Sequence, residues 1–95
     1  MENRLATDKN FPAVPATYSI WHQQEEEVCI YVGATKNLRD RLRKLHSAHP
    51  DWFKETNRVK WELCNIADLM QAEMRLIVEL QPIANKCLQG YQGGR

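Results

Sequence analysis

Glu73 stands where an apolar residue is expected. Ile66, Leu69, Met70, Leu76, Ile77 and Leu80 repeat at helical spacing, and Glu73 falls in the middle of that stripe. A carboxylate on an apolar face is costly unless it reaches solvent, a cation or a metal ion. One reading puts Glu73 at the stripe's edge, snorkelling to water or pairing with an arginine. The other makes it a ligand for a hard divalent cation, which takes carboxylate oxygen and keeps several waters. Tyr18 and Tyr31 fall at matching places in two strand-like stretches. They are either packing residues or phenols aimed at a site. Gly33 closes the second stretch, as a simple terminator or as room for a backbone or phosphate to come close. A basic run follows: Lys36, Arg39, Arg41, Arg43 and Lys44, with His46 just beyond. Such a run is a solvated helix face or a set of anion contacts.

These residues need elements to position them. "YSIW" (18–21) alternates, and Val28–Val32 is apolar, β-branched and aromatic, so the two read as hairpin strands joined by the polar loop "HQQEEE". Thr35 or Asn37 can cap the next helix, whose buried stripe is Leu38, Leu42 and Leu45. Asp40 is placed to pair with Lys44. Pro50 stops that helix, and "DWFKETN" is a connector with room for one helical turn. "VKWEL" (59–63) alternates as a third strand. Asn65 or Asp68 starts the last long helix, which Pro82 ends. The order β-β-α-β-α predicts an α+β fold: a small three-stranded antiparallel sheet flanked by helices.

The bulk numbers set limits. Ninety-five residues make one domain with a thin core. The net charge of +1 excludes a strongly basic nucleic-acid coat, so any basic footprint is local. Cys29, Cys64 and Cys87 are odd in number and far apart, which fits neither a disulfide framework nor a zinc pattern and points to a reducing, cytoplasmic setting. His46 and His49 lack a nearby cysteine pair. No apolar segment is long enough to span a membrane, and the N-terminus lacks the apolar core of a signal peptide.

Taken in order, "PATYSIW", "IYVG", "KNLRDRL" and "AEMRLIVELQPIAN" resemble the GIY-YIG nuclease family. The resemblance runs from about Pro15 to Lys86. Tyr31-Val32-Gly33 is a close form of the second motif. Arg41 and Glu73 match the family's helix arginine and metal-binding glutamate, and Asn85 its later asparagine. The resemblance implies a metal-dependent endonuclease acting on DNA. Tyr18 would be the general base or water-positioning group, and Tyr31 would orient water or the scissile phosphate. Arg41 would hold a phosphate oxygen. Glu73 would hold one Mg²⁺ or Mn²⁺ that polarises the phosphate and stabilises the leaving 3′ oxygen. Gly33, Lys36, Arg39, Arg43, Lys44, His46 and Asn85 would contact nucleic acid. A tyrosine serving as a base near neutral pH needs a depressed pKa, which a nearby metal or cation can supply.

The sequence departs from the family pattern at four places. Ala16 replaces the first motif's glycine, and Thr17 replaces an apolar residue. Ala34 stands where many relatives carry a lysine. Leu45 occupies the position of a histidine or tyrosine, with His46 one residue late. The expected organisation is an N-terminal arm (1–14), a nuclease domain (15–88) and a flexible glycine-containing tail (89–95). Neither end is long enough for a separate DNA-binding domain, so low sequence specificity is expected, with DNA shape, a partner protein or self-association supplying the rest. The alternative is a nucleic-acid-binding module on the same scaffold that cleaves weakly or not at all. A pure protein-interaction domain would leave the basic helix without a role.

Overall fold

The computed structural model describes residues 2–23 and 25–84 of the chain. Its strands are β1 (Glu2–Leu5), β2 (Ala16–Gln23), β3 (Glu27–Thr35) and β4 (Asn57–Leu63). Its helices are α1 (Leu38–Ala48) and α2 (Leu69–Leu80), with 3-10 turns over Pro50–Phe53 and Ile66–Asp68. The α+β class with an antiparallel sheet and helices holds. The sheet has four strands rather than three, in the order β1-β4-β2-β3.

The extra strand is β1. Glu2 lies opposite Trp61 and Leu5 opposite Arg58, so β1 closes the open edge of β4. "ENRL" has no apolar alternation, which is why periodicity does not announce it. Ala6 and Phe11 then enter the core, at 3% and 4% exposure. The backbone N–H groups of Leu38 and Arg39 donate to the carbonyls of Val14 and Pro12. The expected arm is therefore bound to the sheet edge and to the start of α1.

β2 and β3 form the predicted hairpin, with a bulge between Ile20 and Trp21. Strand alternation gathers Tyr18, Ile20, Val59 and Trp61 into one core with Leu38, Leu42, Leu45 and Phe53. Asn37 is the N-cap of α1, its Oδ1 accepting from the Asp40 N–H at 3.1 Å. Thr35 Oγ1 accepts from the Asn37 N–H at 3.1 Å, so both candidate capping residues are used. Lys44 pairs with Asp40 at 3.2 Å, as expected.

α2 packs against β3, which is an edge strand, and against part of β2. Leu69 is buried, while Leu76, Ile77 and Leu80 are half-buried. Ile66 and Met70 are exposed (55% and 74%), against the expectation that both belong to the buried stripe. Ile66 belongs to a 3-10 turn and is out of phase with α2. Met70 lies a quarter-turn or more off the line of Leu69, Leu76 and Leu80, and one strand edge is too narrow to cover both. Glu73 is on the packed side. Gln81, with φ 48°, ends α2 in the left-handed region, and Pro82 follows. Asn85 and the 89–95 tail lie outside the described residues.

Candidate active site

Tyr18 sits mid-strand in β2, between Gly33 on β3 and Trp61 on β4. Its side chain is 1% exposed. A Cβ on Gly33 would collide with the hydroxyl and ring of Tyr18. The glycine is thus required for close approach: the phenol lies directly over the partner backbone. Tyr31 is two residues earlier on β3 and half-buried, its ring 6.2 Å from that of Tyr18 with a 40° tilt.

α1 brings in Arg41. Its Nε donates to the Tyr18 hydroxyl oxygen at 3.2 Å. The bond to Tyr18, and a lesser one with Tyr31, hold the guanidinium more firmly charged than an ordinary arginine. Burial pushes the Tyr18 phenol above the usual tyrosine range, against the pull of Arg41. Tyr18 is therefore protonated at neutral pH: its oxygen accepts from Arg41 and its hydrogen remains available to donate. The depressed pKa that a base role needs is not supplied by the surrounding side chains.

α2 brings in Glu73. Its carboxylate accepts a hydrogen bond from the backbone N–H of Ala34 and feels the charge of Arg41. Desolvation raises its pKa, and those two groups only partly offset this. Among the described residues no side-chain cation forms an ion pair with it. On the first reading of Glu73, the arginine pair does not form among the described residues, and the carboxylate is half-buried. No cluster of three or more metal-ligating side chains occurs among the described residues, and Glu73 is the carboxylate offered to a metal here. That donor set suits a hard divalent ion that keeps most of its waters.

The other basic residues divide. α1 turns Arg39, Arg43 and His46 to the flank opposite Arg41. There they rim a cavity of about 380 Å³ with Lys9 and Asp8, over a floor that includes Phe11 and Phe53. Arg39 Nε is spent on the Phe11 carbonyl at 2.8 Å, and the His46 ring stacks on Phe53 at 5.0 Å. His46 therefore does not join the tyrosines. Lys36 is exposed before α1, and Lys44 is held by Asp40. Trp52, in the segment read as a connector, stacks on Tyr31 at 5.2 Å. Its only sequence signal is an aromatic pair, Trp52-Phe53, separated from the helix-stopping Pro50 by Asp51 alone.

A family model described as the GIY-YIG catalytic domain matches residues 14–86. β1 lies outside that match. No curated protein sequence matches the chain. Among solved structures the chain is similar to the GIY-YIG N-terminal endonuclease domain of UvrC from Thermotoga maritima, in point-mutant forms bound to its catalytic divalent cation. An asparagine-to-alanine form and a tyrosine-to-phenylalanine form are each 24% identical, with a TM-score of 0.62 over 77% of this chain and 83% of that one. A second tyrosine-to-phenylalanine form is 23% identical over the same shares, also with a TM-score of 0.62. At this identity the likeness establishes a shared fold.

Proposed function

This chain belongs to the GIY-YIG family, and on that footing we propose that it is a divalent-metal-dependent endonuclease hydrolysing DNA phosphodiester bonds with little sequence specificity of its own. The observation that carries the reading is convergence. Tyr18, Tyr31, Arg41 and Glu73 come from β2, β3, α1 and α2, yet each acts electrostatically on another of the four.

Glu73 would hold one Mg²⁺ or Mn²⁺, which when bound supplies charge that polarises the phosphate and stabilises the leaving 3′ oxygen. Arg41, kept charged by the two phenols, holds a non-bridging phosphate oxygen and offsets charge that builds as water attacks phosphorus. Tyr18 fixes the Arg41 side chain and donates its own proton in a hydrogen bond, so it positions water or phosphate rather than taking a proton. Tyr31, less buried, orients the same groups from beside it. The water oxygen bonds to phosphorus and sheds a proton, the bond to the 3′ oxygen breaks, and the leaving oxygen takes up that proton, so the products are a 5′-phosphate and a 3′-hydroxyl.

The free thiols of Cys29 and Cys64 support a reducing, cytoplasmic setting, and no helix among the described residues is long and apolar enough to cross a membrane. The exposed Met70, Met74 and Val78 of α2 support contact with a partner protein or a second copy. The test is cleavage of plasmid and branched DNA with Mg²⁺ or Mn²⁺, comparing the wild type with Glu73→Ala. Metal-dependent cutting that the substitution abolishes is expected. DNA binding without cutting, across metals and DNA shapes, would instead make the chain a binding module.

A further inference from the structure

Tyr18 and Tyr31 begin a row of rings that runs out to the surface. Tyr31 meets Trp52 at 5.2 Å and 29°, and Trp52 meets His49 at 3.9 Å and 6°. Each step outward is closer and flatter than the last. Tyr18 is buried, Tyr31 and Trp52 are half-buried, and His49 is exposed. The row therefore ends in a flat imidazole whose inner face is covered by Trp52.

The end of the row is held firmly. The Trp52 backbone N–H donates to the His49 carbonyl at 3.0 Å, and the Trp52 carbonyl accepts from Asn57 Nδ2 at 2.8 Å. Asn57 is itself 1% exposed. Pro50 opens the turn, and Phe53, next to Trp52, is anchored in the core.

A rigid aromatic step beside a phosphate-handling site takes one kind of group: another planar ring carried on the same anionic chain. Bases stack on such surfaces with little regard to sequence. A base inside intact duplex is already stacked on both faces, so it is not free to join the row. We propose that the His49 face of this row is a stacking platform for an unpaired nucleobase near the scissile phosphate. The enzyme's substrate class is then branched, flapped or single-stranded DNA rather than intact duplex. This rests on the nuclease reading above, and the experiment separates the two.

Wild type, His49→Ala and His49→Phe are compared on a flapped DNA and a fully paired duplex, with Mg²⁺ present. The unpaired base at the flap junction is a fluorescent adenine analogue that stacking quenches. The wild type is expected to quench the analogue and to prefer the flap. His49→Ala is expected to lose the quenching and raise KM for the flap roughly ten-fold, the scale of one lost stacked base. The loss should be greater on the flap than on the duplex, the variant should still unfold cooperatively near the wild-type Tm, and His49→Phe should restore both flap signals. If the wild type cuts and His49→Ala alters neither quenching nor KM, the platform is wrong and the nuclease reading stands. If nothing is cut but quenching still depends on an aromatic residue at position 49, the platform stands and the nuclease reading falls. Absence of quenching by the wild type overturns the platform whether or not DNA is cut.

Discussion

The phenol of Tyr18 rests on the backbone of Gly33, its cross-strand partner, with no space between them for a Cβ. Gly33→Ala must therefore displace a ring that is packed on every side. Overpacking of this kind costs about 1–3 kcal/mol, and the shift also pulls the Tyr18 oxygen from Arg41. Denaturant unfolding should show the loss in Gly33→Ala, and should show it largely relieved when Tyr18→Ala is added. Simple additivity of the two changes would mean that the contact is not the cause.

Arg41 reaches Tyr18 through Nε and makes a lesser bond with Tyr31, and its remaining N–H groups serve an anion in the proposed reaction. Removing a donor of this sort lowers kcat by about 100- to 1,000-fold. Arg41→Ala should show that loss in single-turnover cleavage at saturating DNA. Arg41→Lys should not restore it, since an ammonium lacks the Nε–H and the planar fork.

Glu73 has a folded-state pKa above its ordinary value because it is desolvated. Between the two values the native state holds more protons than the unfolded chain, so the stability due to this residue falls as pH rises through that window. At neutral pH the free carboxylate is a burden on the fold. Glu73→Gln should abolish metal-dependent cutting and yet raise Tm at pH 7, with the gain shrinking toward about pH 4. Added Mg²⁺ should raise the Tm of the wild type only. A lower Tm for the glutamine variant at pH 7 would contradict the desolvated carboxylate.

Phe11 is in the segment that looked like an arm, yet it is buried under α1 and packs with the main core. Phe11→Ala should cost about 3–5 kcal/mol, as for other buried aromatic residues. For a domain of this size that is a large share of the total stability, so urea titration is a direct check. A change within about 0.5 kcal/mol would put the segment back outside the fold.

Arg43 rims the cavity on the far flank of α1 from Arg41 and makes no ion pair among the described residues. If it contacts phosphate, Arg43→Ala should weaken binding evenly across DNA sequences and reduce the slope of log K against log salt by about 1. Single-turnover kcat should be unaffected. An unchanged slope would confine the DNA footprint to the Arg41 side.

How much of this was readable in advance follows from the range of each interaction. The β2–β3 hairpin, α1 with its Asn37 cap and the Asp40–Lys44 pair are local. They depend on period, capping and neighbours a few residues apart, and those are written directly in the order of residues. Glu73 stood out because it broke a helical period. β1 was hidden, because its pairing comes from the free edge of β4 more than fifty positions away and not from its own alternation. The Trp52–His49 end of the aromatic row was hidden for a similar reason: the connector that holds it shows no period. The sequence alone therefore determined which residue types were present and which elements carried them. Only the tertiary structure decided that Arg39, Arg43 and His46 part company with Arg41, and that Tyr18 is buried deeply enough to stay protonated. A helix has a far side, and a phenol's proton affinity is set by everything packed around it.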